Sequence, residues 1–260
     1  MYRETLPPRQ LGLWLAATSP VVIQLAASQG WSGVAITGAI CFLAVWMVWR
    51  WGCFGRWVSV GAYILLLIFT GQIIGESSVM WSGNSYPWIP LLILALALWS
   101  ALKGAKAAAG VGCVLFWVVL AIYPLLYGTA LPEVDWSKGL VENIQLSERL
   151  ALLLLLPALG KVLLGRKDAP ATLLLNVTLG ILGAALTLGL GCGSVYELPE
   201  TIDLLGTVKH YEPLIFSTAM LGWYLLVSYV LTLCGGLGEG RPSVVMGALV
   251  IAAWMLCDMH

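Results

Sequence analysis

The sequence predicts an all-α polytopic membrane protein. Of its 260 residues, 60% are hydrophobic and only 10% are charged, and the mean hydropathy is +0.92. A soluble domain carries about 25% charged residues, so a surface this poor in charge could not stay in water. The apolar residues form long runs and not the alternating segments typical of β-barrels. The composition excludes a soluble enzyme and a disordered chain, and the net charge of +0 leaves no basic surface for nucleic acid.

Nine apolar runs are candidate membrane-spanning helices. A helix needs roughly 20 apolar residues to cross the hydrocarbon core of a bilayer. Glycine, proline and clusters of charge separate the runs. The fourth, sixth and ninth runs are short for a span. We number the runs span 1 to span 9 in chain order: residues 11–28, 31–49, 58–75, 87–102, 107–128, 148–164, 172–192, 213–235 and 242–257.

The distribution of Lys and Arg predicts the orientation of these spans. With the N-terminus inside and the C-terminus outside, ten of the 13 basic residues fall in inside segments and three, Lys138, Arg149 and Lys209, fall outside. Three acids, Glu4, Asp168 and Glu239, fall inside and the other ten fall outside. An error of one in the number of spans would destroy this alternation. The apolar run continues past Pro20, so we expect an uncleaved first helix and not a signal peptide.

A proline interrupts the first span of each half of the chain. Five spans precede the polar connection at residues 129–147 and four follow it, so span 6 runs opposite to span 1. Pro20 lies nine residues into span 1, and Pro157 lies nine residues into span 6. Interrupted spans at matching places in two halves are the best sequence indication of a site between inverted repeats. Proline is also common in membrane helices, so a chance pair of kinks is the alternative.

Eight short segments lie at the start of span 1, at its proline, at the start of span 2, between spans 4 and 5, after span 5, and before spans 6 and 8. They are LPPRQL (6–11), Ser19-Pro20, QGW (29–31), SALKGAK (100–106), LPEVDWS (131–137), Ser147-Glu148, ELP (197–199) and YEPLIF (211–216). These segments, which run along most of the chain, resemble the spore-germination permease family, the B subunits of nutrient germinant receptors. This family belongs to the amino acid–polyamine–organocation superfamily.

The resemblance implies a single transmembrane domain with a truncated 5+5 inverted-repeat, amino-acid-permease-like fold. The first repeat is residues 11–128 with five helices, and the second is residues 148–257 with four helices. The family typically has ten spans, and this chain has nine. The resemblance implies that spans 1, 3, 6 and 8 surround a midplane pocket, which would be complete without the tenth helix.

The predicted ligand is a small nutrient, most simply an amino acid. If span 1 unwinds at Thr18, Ser19 and Pro20, its backbone N–H groups and the positive end of the half-helix suit a carboxylate. The corresponding break in span 6, at Leu156 and Pro157, would offer carbonyl groups to an ammonium group or a cation. A hydroxyl such as that of Ser19 could instead bond to its own helix.

Five further polar side chains are candidate ligand-binding residues. Gln24 lies one turn after Pro20 on the same face of span 1, although an amide in a span usually bonds to a neighbouring helix. Thr70 and Gln72 lie deep in span 3. Ser217 and Thr218 lie in span 8, where hydroxyl groups could help to hold sodium in related folds.

The sequence favours a nutrient sensor over two alternatives. The resemblance implies a subunit of a germinant receptor in the spore inner membrane, whose partners are the other receptor subunits. The first alternative is an amino-acid permease, with or without sodium dependence, and the second is a scaffold that binds no ligand. No span carries a carboxylate at mid-depth, and no metal-binding helix or phosphate-binding loop is present. We therefore expect neither an enzyme nor a cofactor.

Overall fold

The computed structural model describes residues 6–27, 30–51, 88–128, 130–137, 150–151, 154, 169–192, 212–237 and 240–258. These residues form eight α-helices and one short 3-10 turn, Leu131–Glu133, and the described part of the chain contains no strand. The helices are α1 (Pro8–Ala16), α2 (Ser19–Ala27), α3 (Gly30–Trp51), α4 (Trp88–Lys103), α5 (Ala105–Tyr127), α6 (Ala169–Gly189), α7 (Glu212–Leu237) and α8 (Arg241–Asp258).

The observed helices coincide with seven of the predicted spans. Together α1 and α2 form span 1, and α3, α4, α5, α6, α7 and α8 correspond to spans 2, 4, 5, 7, 8 and 9. Each boundary lies within three residues of its predicted position. Spans 3 and 6 lie outside the described residues, except for Leu150, Ala151 and Leu154, which are helical. The all-α class is therefore confirmed for the described residues, while the number of spans stays a prediction.

The surface of the described helices is that of a membrane protein. Four helical segments, Gly30–Met47, Ala105–Tyr127, Ala171–Gly189 and Pro213–Gly236, are long and apolar enough to cross a bilayer. Large apolar side chains such as Trp99 and Trp117 are 64% and 57% exposed. Among the described residues, the buried polar side chains are all uncharged: Thr18, Ser19, Thr37, Ser100, Thr172, Asn176, Thr187, Thr218, Ser228 and Thr232.

Span 1 packs in the middle of the described helices. Its first half, α1, contacts α5, α6 and α7, and its second half, α2, contacts α6, α7 and α3. The indole of Trp14 is wholly buried, lies against Gly112 of α5, and meets the ring of Tyr229 of α7 edge-on at 5.2 Å. The four helices around span 1 therefore fix the position of its interruption.

Glycines let α6 approach span 1 and α3 closely. A Cβ atom on Gly180 would lie 2.7 Å from Val22 Cγ1, and one on Gly38 would lie 2.6 Å from Val177 Cγ1. A Cβ atom on Gly183 would collide with Ile23. Gly38, Gly180 and Gly183 therefore form close-packing surfaces, as small residues do between membrane helices.

The contacts also define the relative directions of the helices. Along span 1, Val22 meets Gly180 and Ile23 meets Gly183, so α6 runs parallel to span 1. By the same criterion α5 is parallel to span 1, because Cys113 meets Gln10 and Tyr123 meets Ser19.

Among the described helices, α7 and α3 run in the opposite direction to span 1. Tyr229 of α7 lies against Trp14, and Gly222 of α7 lies against Pro20, so α7 is antiparallel to span 1. On α6, Gly180 and Val177 lie against Val34 and Gly38 respectively, so α3 is antiparallel to α6. These directions agree with the predicted alternation of spans 1, 2, 5, 7 and 8.

Candidate functional site

The predicted interruption of span 1 is present and is two residues long. Helix α1 ends at Ala16, and α2 begins at Ser19. Pro20 is the second residue of α2, and it lacks the N–H group that would otherwise bond to the carbonyl of Ala16 one turn earlier. Ala17 keeps near-helical torsion angles (φ −67°, ψ −14°). The chain therefore makes a tight turn and does not unwind over a longer stretch.

The turn satisfies most of its own backbone donors, which differs from our expectation. The N–H groups of Ala17 and Thr18 donate to the carbonyls of Leu13 and Leu15, at 2.9 and 3.1 Å. The N–H of Val21 donates to the Thr18 carbonyl at 3.0 Å. Because the turn is so tight, N–H groups that an unwound segment would have offered to a carboxylate donate instead to carbonyls of the turn, in part through 3-10-type bonds. The side chains must therefore supply most of the polar contacts to a ligand.

A small cavity lies beside the turn, between α2, α5 and α7. It has a volume of about 20 Å³, enough for one water molecule. Its described lining contains an amide and three hydroxyl groups among apolar side chains, and it contains no charged group. The lining residues are Pro20, Ile23, Gln24, Tyr123, Leu126, Tyr127, Ile215, Thr218 and Ala219. We call this the turn cavity.

Two of the predicted residues meet at the turn cavity from different helices. Gln24 lies one turn after Pro20 on α2 and is partly buried, and Thr218 on α7 is 3% exposed. The Thr218 hydroxyl donates to the Leu214 carbonyl of its own helix at 2.7 Å, so its oxygen remains able to accept a bond. Gln24 can both donate and accept. The Thr218 oxygen could accept a bond from an ammonium group, and the Gln24 amide could donate one to a carboxylate.

The hydroxyl of Ser19 contacts Tyr123 of α5. Ser19 Oγ and Tyr123 Oη lie 3.0 Å apart, and Ser19 is 1% exposed. The alternative for this serine, a bond back to its own helix, is therefore not what the structure shows. The neighbouring Thr18 does make such a bond, donating to the Leu15 carbonyl at 2.6 Å. Of these two hydroxyl groups, only that of Ser19 joins span 1 to a residue of the cavity.

Ser217 does not reach the turn cavity. Its side chain is exposed, and its hydroxyl donates to the Pro213 carbonyl at 2.6 Å. Thr218 lines the turn cavity and Ser217 does not. Because the Ser217 side chain is exposed and that of Thr218 is buried, the two hydroxyl oxygens do not converge on one sodium site. The predicted residues Thr70, Gln72, Leu156 and Pro157 lie outside the described residues.

The sequence analysis did not identify the two tyrosines of the site. Tyr123 and Tyr127 lie four residues apart near the C-terminal end of α5, on one face of the helix. The Thr187 hydroxyl donates to the Gly183 carbonyl at 2.8 Å, so Tyr127 must donate its proton to Thr187 Oγ1, 3.0 Å away. The spacing of the two tyrosines near the end of an apolar span is the signal that could have indicated the site.

A second and larger cavity lies on the other side of the same tyrosines. It has a volume of about 430 Å³ and lies between α2, α5, α6 and the segment that follows α5. Its described lining is apolar apart from the two tyrosines and Trp136. The lining residues are Ile23, Leu120, Tyr123, Pro124, Tyr127, Gly128, Leu131, Trp136, Leu179, Leu182, Gly183 and Leu186. We call this the apolar cavity.

The segment after α5 covers the end of α6. The N–H of Asp135 donates to the Gly189 carbonyl at 3.0 Å, and Val134 packs on Gly189, where a Cβ atom would collide with it. Asp135 in turn accepts bonds from the N–H and hydroxyl of Ser137, at 3.0 and 2.7 Å. These contacts keep Leu131 and Trp136 at the rim of the apolar cavity.

Among the described residues, no group of three or more His, Cys, Asp or Glu side chains could hold a metal ion. The described walls of both cavities offer hydrogen bonds and apolar surface. Searches against known protein families, curated proteins and solved structures found no match to this chain.

Proposed function

We propose that the chain is a nutrient-sensing membrane subunit of a spore germinant receptor. In this proposal it binds a small ligand, most simply an amino acid, at the interruption of span 1. The observation that carries the proposal is the turn cavity itself. There an interrupted helix, an amide and buried hydroxyl groups from three different helices meet in a bundle whose outer surface is apolar.

The relative directions of the described helices support the proposed topology. In a 5+5 inverted repeat, span 2 corresponds to span 7 and span 4 corresponds to span 9. Helices α3 and α6, which are spans 2 and 7, pack along each other in opposite directions, and α4 packs against α8. Corresponding helices of two inverted repeats run antiparallel, as α3 and α6 do. The proposed family rests on the sequence resemblance. The tenth helix typical of that family has no counterpart among the nine predicted spans.

The small volume of the turn cavity fits the closed state of a sensor. A volume of about 20 Å³ cannot hold an amino acid, so binding requires a second, more open state. A ligand shifts such an equilibrium only by its difference in affinity for the two states. In the proposed receptor, partner subunits in the spore inner membrane would respond to that shift.

The test is binding of radiolabelled amino acids to the purified protein in lipid nanodiscs. We expect Gln24→Leu, Ser19→Leu and Thr218→Leu each to weaken binding about tenfold or more, because each removes a hydrogen-bonding group from the site. Ser217→Leu is the matched control, because its side chain is exposed on the neighbouring position of α7, and we expect it to bind as wild type does. Unchanged binding in the first three variants would exclude this pocket.

Uptake into proteoliposomes distinguishes sensing from transport. A sensor binds its ligand without net flux, whereas the permease alternative predicts accumulation of labelled amino acid inside the vesicles. Repeating the uptake assay with and without sodium tests the sodium-dependent form of that alternative. The absence of both binding and uptake for a full panel of amino acids would favour a scaffold.

A further inference from the structure

Three side chains line both cavities. Ile23 of α2 and Tyr123 and Tyr127 of α5 belong to the wall of the turn cavity and to that of the apolar cavity. The two spaces therefore lie back to back, separated by this thin layer of side chains. Tyr123 is the member of the layer that also bonds to the turn of span 1, through Ser19.

The two cavities differ in size and in chemistry. The turn cavity has room for one water molecule and has the polar groups of Gln24 and Thr218 in its wall. The apolar cavity, with about 430 Å³, lies within the range of about 300–1,000 Å³ that is usual for ligand pockets. Its wall includes Leu120, Leu179 and Leu186. One space thus suits a small polar group, and the other suits a bulky apolar one.

The hydrogen bonding of helix α5 is weakened next to Tyr123. Pro124 lies inside α5 and cannot donate to the carbonyl of Leu120, so one bond of the helix is missing beside Tyr123. The Tyr123 hydroxyl is held by Ser19 at 3.0 Å, and its ring is 6.4 Å from that of Tyr127. A single neutral hydrogen bond is a modest restraint on a tyrosine ring.

We propose that Tyr123 is a movable partition, and that its displacement joins the two cavities into one site for an amino acid with a large apolar side chain. The inference rests on the proposed function and adds the class of ligand. The ammonium and carboxylate groups lie at the turn cavity, near Gln24, Thr218 and Ser19. The side chain of the ligand enters the apolar cavity. Leucine and phenylalanine therefore bind, and glycine binds far more weakly.

The experiment measures the affinities of wild-type protein in nanodiscs for labelled glycine, alanine, leucine and phenylalanine. Each buried methylene group strengthens binding about fourfold, so leucine should bind at least about tenfold more tightly than glycine. Equal affinities for glycine and leucine would overturn the inference while leaving the proposed function in place. Binding of none of the four amino acids would count against the proposed function itself.

A pair of variants on α6 locates the side chain of the ligand. Leu182 and Leu174 are both exposed on α6, at 49% and 58%, but only Leu182 lines the apolar cavity. Leu182→Trp should weaken leucine binding about tenfold and leave glycine binding unchanged, whereas Leu174→Trp should change neither. If both tryptophan variants bind leucine as wild type does, the apolar cavity is not part of the site. The ligand panel on wild-type protein decides the inference even if a variant fails to fold.

Discussion

Ser19 Oγ and Tyr123 Oη, 104 positions apart in the chain, lie 3.0 Å from each other at the interruption of span 1. This contact joins the start of α2 to the last turns of α5. It also lies beside both cavities, and the Tyr123 ring is part of the layer of side chains that separates them.

Removing this hydrogen bond should favour the open state. Tyr123→Phe deletes the hydroxyl while keeping the ring, and a neutral hydrogen bond contributes about 0.5–1.5 kcal/mol. We expect leucine binding to become several-fold tighter and the unliganded protein to melt at a lower temperature. Titration calorimetry and a thermal melt in nanodiscs measure the two effects. Tyr224→Phe is the control, because Tyr224 on α7 lies in neither cavity wall. Weaker leucine binding by Tyr123→Phe would contradict the role of Tyr123 as a partition.

Restoring the missing donor of Pro20 should close the interruption. Pro20→Ala lets residue 20 bond to the Ala16 carbonyl, which favours one continuous helix. We expect the free energy of unfolding to rise by about 1 kcal/mol and the affinity for amino acids to fall. Pro90→Ala is the matched control, because Pro90 lies in the first turn of α4. The N–H groups of a first turn have no partner within their helix, so the proline there removes no hydrogen bond. A Pro20→Ala protein that binds as wild type does would show that the interruption is not needed for the site.

The glycines of α6 should tolerate no larger residue. Gly183→Ala places a Cβ atom against Ile23, and overpacking of this kind costs about 1–3 kcal/mol. A Cβ atom on Gly110 of α5 would have no neighbour within 4 Å, so Gly110→Ala should be neutral or slightly stabilising. Thermal melts compare the two variants. The double variant Gly183→Ala with Ile23→Ala should recover part of the loss, and an additive loss would contradict direct contact as the cause.

The predicted orientation can be tested by cysteine labelling. In a background without the native cysteines, Ser137→Cys should react with a membrane-impermeant maleimide on intact cells, because the segment after span 5 is predicted to lie outside. Lys106→Cys, at the other end of α5, should react only after permeabilisation. The cysteine-free chain controls for background labelling. The opposite pattern would reverse the topology.

Hydrophobicity and charge predicted the helices well, because in a membrane the length and polarity of a segment almost determine its structure. The boundaries of α3 and α7 were predicted within two residues. The position of the interruption at Ser19 and Pro20 also followed from the sequence, since proline removes a specific hydrogen bond.

The sequence could not predict how the turn would satisfy its own donors or which helix would face it. Whether a helix break unwinds or tightens depends on neighbours such as Trp14, which is buried against α5 and α7. We expected spans 3, 6 and 8 to surround the site. Among the described helices the neighbours of the turn cavity are α5 and α7, which are spans 5 and 8. Tyr123 was missed because its partner Ser19 lies 104 positions away, so the sequence does not show that the two side chains meet.

Photo-crosslinking tests the central claim most directly, since it locates the bound ligand on the chain. The wild-type protein in nanodiscs is irradiated in the presence of a diazirine analogue of leucine, with and without excess leucine. Mass spectrometry then identifies the crosslinked residues. We predict crosslinks that leucine suppresses, on residues 120–127 of α5 and 179–186 of α6, around the two cavities. The absence of any crosslink that leucine suppresses, or suppressible crosslinks confined to α4 and α8, would contradict a ligand site at the interruption of span 1.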